Sequence, residues 1–135
     1  MLVQNDCLHD WEISLHLHPD SRAPRLCRAS VVSAVRAYGL PGLAEPAELV
    51  VSELVTNAVQ HGRGPLAFRV AWFAVRARLR LTVWDDGPAL APLRPSRPAD
   101  DAPSGRGLLI VAAVAVDWGQ YPMPGSGKAL WAELG

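Results

Sequence analysis

The sequence predicts an α/β two-layer sandwich: a mixed, mainly antiparallel sheet with helices on one face. Three observations lead there. A length of 135 residues suits one domain. Half of those residues are apolar, enough for a true core. The periodic segments run strand, two helices, two strands, a long loop, a helix, two strands, which is not regular βαβ winding.

Each element has its own signal. Residues 1–10 show no period and read as a flexible N-terminus, leaving 11–134 as the domain. From Trp11, apolar Trp11, Ile13, Leu15 and Leu17 alternate with Glu12, Ser14, His16 and His18, giving a half-buried strand that Pro19 stops. His16 and His18 lie on the polar side with no third ligand close in sequence, so a solvated strand face outweighs a metal pair. Asp20 or Ser21 can cap a helix with Pro24 in its first turn. Leu26, Ala29, Ser30, Ser33, Ala34 and Ala37 supply its stripe, and Gly39 and Pro41 end it. A second helix runs from about Pro46 to His61, with Leu49, Val50, Leu54, Val55, Ala58 and Val59 apolar. Leu66 to Val75 and Leu79 to Trp84 form a hairpin broken at Arg76 and Ala77. The proline-rich stretch 88–104 is a loop long enough to suggest function. Gly105-Arg106-Gly107 opens a short helix through Leu108, Ile110, Val111 and Val114. Asp117 to Tyr121 and Ala129 to Leu134 close the sheet around a Pro/Gly turn.

Composition narrows the function classes. Thirteen basic residues balance thirteen acidic ones, whereas a protein that neutralises phosphates carries a basic excess. Direct nucleic-acid binding is therefore not expected. The longest apolar-rich stretch, Leu108 to Val116, is about half of the ~20 residues a membrane span needs. The N-terminal residues lack a signal-peptide pattern. Cys7 and Cys27 are far apart and outside any C-x-x-C, as befits ordinary thiols of a cytoplasmic protein.

Three places carry polar chemistry. Glu53 and Asn57 stand i, i+4 on the second helix and share a face, with His61 continuing the row. An amide oxygen there can ligate a hard cation, and a carboxylate can orient or deprotonate a nucleophile. Asp85-Asp86-Gly87 ends an apolar strand, where a carboxylate can accept from an exocyclic amine while Gly lets the backbone turn. Ser104-Gly105-Arg106-Gly107-Leu108 precedes a helix whose N-terminus favours phosphate. Each also has a plain alternative: a polar helix stripe, an ordinary Asp-Gly turn and a loop hinge. In combination they read as a Mg-nucleotide site, although neither G-x-x-x-x-G-K-[ST] nor a strand-bound G-x-G-x-x-G is present.

The order and spacing of these motifs resemble the Bergerat-fold ATPases, and most closely the small anti-sigma-factor serine/threonine kinases of actinobacterial type. Ser52-Glu53-Leu54-Val55-Thr56-Asn57-Ala58-Val59-Gln60-His61-Gly62 looks like the N box of that family. The resemblance implies that Asn57 ligates Mg²⁺ and Glu53 is the general base. Val83-Trp84-Asp85-Asp86-Gly87 looks like the first glycine box, with Asp85 as adenine reader and Gly87 its partner. Gly105, Arg106, Gly107 and Leu108 look like the second, and 88–104 would then be an ATP lid. Two departures stand out: Ala89 replaces the box's second Gly, and Ala129 occupies the place of a Thr that helps hold adenine. The implied function is an ATP- and Mg²⁺-dependent protein serine/threonine kinase in a partner-switching system. It would phosphorylate an anti-sigma-factor antagonist and sequester a sigma factor, with a homodimer possible. The rival is a docking module, with or without bound ATP, that acts only by protein–protein binding.

Overall fold

The structure, a computed structural model, describes residues 8–88 and 103–135, with side chains from 108 onward in the second span. Its elements in order are β1 (Trp11–Leu17), α1 (Arg22–Ala37), a single 3₁₀ turn (Pro41–Leu43), α2 (Ala44–His61), β2 (Leu66–Phe73), β3 (Arg78–Asp85), α3 (Pro103–Val114), β4 (Asp117–Pro122) and β5 (Lys128–Leu134). One five-stranded sheet has the order β1-β2-β3-β5-β4, and all four pairings are antiparallel. The helices cover one face, as the two-layer reading expects.

Strand alternation builds the core. Phe68, Val70 and Trp72 of β2 lie opposite Val83, Leu81 and Leu79 of β3, which face Leu130, Ala132 and Leu134 of β5. All nine are buried and meet Val50, Leu54, Val55 and Ala58 of α2 in one cluster. Burying each of its Val, Leu and Phe side chains is worth about 1.5–3 kcal/mol, so this block carries much of the stability. The outer face is polar and aromatic. Arg69 lies over Trp84 at 4.9 Å, Arg80 over Trp131 at 4.3 Å, and Arg76 and Arg80 both pair with the buried Glu133 carboxylate at 3.0 Å.

Several expectations need correction. α1 buries Ala23, Cys27, Val31, Ala34 and Val35, while Leu26 is 48% exposed. The inward line is Cys27-Val31-Val35, spaced by four, so the expected stripe was rotated by about one residue. In α2 Leu49 faces solvent and Ala47 and Val51 take its place inside. The hairpin turn starts at Ala74, two residues before the expected break, and Ala77 closes it at φ 51°. At the start of the described residues, the Asp10 Oδ1 accepts the Ala74 N–H at 2.7 Å. Residues 1–7 of the expected flexible terminus, and 89–102 of the expected lid with Ala89, lie outside the described residues. Pro103 and Ser104, assigned to that loop, belong to α3. No described helix is long and apolar enough to cross a membrane.

Candidate nucleotide site

The site is built where the end of α2 meets the ends of β3 and β5. Asn57 is buried on α2, one turn beyond the half-buried Glu53, whereas His61 at the helix end is exposed. The apolar neighbours Leu54, Val55 and Ala58 carry Asn57 inward with them. Among the described residues, neither Nδ2 nor Oδ1 of Asn57 has a hydrogen-bond partner. A buried polar group left unmet costs about 1–3 kcal/mol. A hard cation ligated by Oδ1 would remove part of that cost, so the residue fits Mg²⁺.

Asp85 ends β3 on the inward face and is buried, while its neighbour Asp86 is exposed, as strand alternation requires. The Asp85 carboxylate is densely bonded. Its Oδ1 accepts the Gly87 N–H at 2.6 Å and the Arg63 N–H at 3.4 Å. The Lys128 ammonium donates to Oδ1 at 3.0 Å and to Oδ2 at 2.9 Å. The two side chains are 0% and 1% exposed, so this is an ion pair inside the protein.

Close backbone approach makes the arrangement possible. The Asp86 N–H donates to the Arg63 carbonyl at 2.8 Å, tying the chain after α2 to the chain after β3. A Cβ on Gly62 would stand 2.6 Å from the Asp85 Cγ, and one on Gly87 would stand 2.8 Å from Oδ1. Gly127 adopts φ 99°, and a Cβ there would meet the Asp85 carbonyl at 2.5 Å. Glycine is needed at 127 on both grounds, and it sets Lys128 directly across from Asp85.

Lys128 is the residue that motif reading missed. The resemblance puts Ala129 in the place of a Thr that helps hold adenine; in the sheet Ala129 pairs with Trp84, and it is Lys128 that pairs with Asp85. The signal was present: Lys128 is in period-2 register with Leu130, Ala132 and Leu134, and it is the only lysine in the sequence. Gly105, Arg106 and Gly107 lie within the first half of α3 rather than ahead of it. The free N–H groups at its start are those of 104–106, because Pro103 has none. Leu108 is buried, and α3 packs against α2. The structure thus brings Asp85, Gly87 and Lys128 together beside the end of the helix that carries Glu53 and Asn57. Among the described residues no group of three or more His, Cys, Asp and Glu side chains could hold a metal, so an ion here would depend on the Asn57 amide and its ligand.

Comparison with known proteins agrees with this architecture. A solved histidine kinase domain, from the blue-light activated histidine kinase of Erythrobacter litoralis, superposes with a TM-score of 0.51 at 21% identity. The match covers 79% of this chain and 58% of that one, and it speaks for the fold. No curated protein matches the chain. The profile of the family described as "Histidine kinase-like ATPase domain" matches residues 18–133, most of the sequence. On that match the chain belongs to the histidine kinase-like ATPase domain family.

Proposed function

We propose that this domain binds ATP with Mg²⁺ and acts as an anti-sigma-type protein serine/threonine kinase on a protein antagonist. The observation that carries the reading is Asn57: a buried amide whose two polar atoms have no partner among the described residues, one turn from a half-buried carboxylate. Bound Mg²⁺ supplies charge neutralisation on the phosphates. Asn57 holds the ion, and the N–H groups at the start of α3 are suited to phosphate oxygens. Glu53 orients the substrate hydroxyl and takes its proton as the oxygen bonds to the γ-phosphorus and ADP leaves. Asp85 reads the base. The partners would be an antagonist carrying the target Ser or Thr and a sigma factor held when that antagonist is unavailable.

The test is Asn57→Ala. Magnesium-dependent ATP affinity should fall at least about tenfold, or 1.4 kcal/mol, while the fold is kept. Equal affinity for the two proteins by calorimetry, with and without magnesium, would remove the metal role.

One observation favours the rival docking module: the Asp85 carboxylate already has a buried partner in Lys128. A thermal shift series separates the readings. Stabilisation by millimolar ATP or ADP with magnesium supports the nucleotide site, and none supports docking alone.

A further inference from the structure

The sheet has two edges, β1 and β4, and they are built differently. An edge strand offers unpaired N–H and C=O groups to any other strand, and proteins blunt it with Pro, charge, bulges or short length. β4 is interrupted by Gly119, ends on Pro122 and starts at the exposed Asp117. β1 has no Pro, Gly or Lys. Its seven residues pair with β2 in unbroken register, and among the described residues β2 is its only strand neighbour. Trp11, Ile13, Leu15 and Leu17 of β1 are only half-buried, whereas their partners Trp72, Val70, Phe68 and Leu66 are buried. Apolar surface is thus left open along this edge.

The order of residues in β1 is complementary to itself. Laid antiparallel against a second copy about Ser14, the strand sets Trp11 opposite Leu17, Ile13 opposite Leu15 and Glu12 opposite His16. Apolar side chains meet on the helix side, and a carboxylate meets an imidazole at each end of the other side. No other antiparallel register pairs all seven residues. Glu12 Oε2 lies 3.1 Å from Arg69 Nε, which leaves Oε1 for the imidazole. A further feature stands at the end of the same edge. Leu17, Ala23, Leu26 and Pro65, with His18 and Asp20, line an open hollow of about 460 Å³, and Leu26 is 48% exposed. The same register brings Trp11 of the second copy to Leu17, and with it the Tyr38 ring stacked on that indole at 4.4 Å. An aromatic pair is thereby set next to an apolar hollow at both ends of the strand.

We propose that the free edge of β1 is the interface between two copies of this chain, joined as antiparallel β1 strands about a two-fold axis at Ser14. The contact is isologous, so it closes as a dimer, and the sheet runs on through both copies. β2 separates this edge from the site at the ends of β3 and β5, so the proposal does not rest on the nucleotide reading.

The experiment follows the full chain by sedimentation velocity across the micromolar range, where the parent should associate to a dimer. His16→Glu sets Glu against Glu at both ends of the strand pair and should raise the dimer Kd at least about tenfold. Glu12→Lys combined with His16→Glu restores opposite charges and should bring Kd back to within about threefold of the parent. Ser14→Cys adds a covalent reading. Opposed residues of antiparallel strands have Cα atoms about 4.5–5.5 Å apart, within disulfide range. This variant should therefore form a crosslinked dimer under mild oxidation, beyond any that Cys7 and Cys27 give in the parent. A parent that sediments as a monomer overturns the inference and leaves the edge to a strand from another protein. A dimer indifferent to His16→Glu uses another surface and also overturns it. So does a loss that the charge swap fails to recover, or crosslinking of Ser14→Cys no greater than that of the parent. If circular dichroism shows that a charge variant does not fold, the Ser14→Cys crosslink decides.

Discussion

Replacing Lys128 by Met should be among the most damaging single changes in this domain. The stem length is kept, so little packing is lost. What goes is the counter-charge of a carboxylate whose side chain is 1% exposed. Breaking a buried pair from one side costs about 3–5 kcal/mol, because the remaining charge is left without water or partner. Two backbone N–H groups still donate to Asp85 Oδ1, which places the expected loss near the lower end, ~3 kcal/mol. Domains of this size are stable by about 5–15 kcal/mol, so the melting temperature should drop by roughly 10 °C. The assay is urea unfolding followed by far-ultraviolet circular dichroism, with m held common to all variants. Asp85→Asn combined with Lys128→Met removes both charges and should regain at least about 1 kcal/mol relative to the single lysine change. A loss under about 1 kcal/mol for Lys128→Met would be the size of a surface substitution. That result would refute the burial argument.

Three further outcomes follow from the same geometry. Gly62→Ala should destabilise by about 1–3 kcal/mol through overpacking, because its Cβ would stand 2.6 Å from Asp85 Cγ and 2.5 Å from the Ala58 carbonyl; a melting curve that overlays the parent would contradict it. Glu53→Ala should leave ATP affinity within a few-fold while phosphate transfer falls by about 10²–10⁴; transfer at the parental rate in a radiolabel assay would exclude Glu53 as the base. Cys27 is fully buried, and burial pushes its thiol up to about 12, so it stays protonated at pH 8 and forms thiolate only near and above that value. Mass spectrometry of alkylated protein should find Cys27 unmodified in the folded state and modified in urea, and rapid native labelling would show that α1 opens.

Much of this was legible in the sequence because strands write their two faces plainly. The alternation Leu79, Leu81, Val83 fixed which of Asp85 and Asp86 points inward. The same rule applied to β5 puts Lys128 on the face of Asp85 and the buried Ala129 on the other face, so the lysine was legible from alternation alone. Helix α1 was harder. Its inner line is Cys27-Val31-Val35, yet the largest apolar residue nearby is the exposed Leu26, which pulled the stripe out of register. Spacing placed Glu53 and Asn57 on one face, but an i, i+4 row is equally compatible with solvent. That Asn57 is buried, with no partner among the described residues, depends on α2 sinking between the sheet and its neighbouring helices, which no local pattern states.

The place of β5 in the sheet also governs how the domain assembles. β2 and β3 are joined by a four-residue turn and can pair early. β5 inserts between β3 and β4, and the bond from Lys128 to Asp85 closes a separation of 43 residues. Loop-closure entropy opposes such a contact until the hairpin and α2 offer a surface to receive it. Until then Asp85 stands at an open strand edge with its charge in water. Its desolvation and its pairing therefore belong to the downhill side of the folding barrier. Changes at Lys128 should act on the unfolding rate far more than on the folding rate. The pair is thus a latch on the lifetime of the folded state, set after the topology has already been decided.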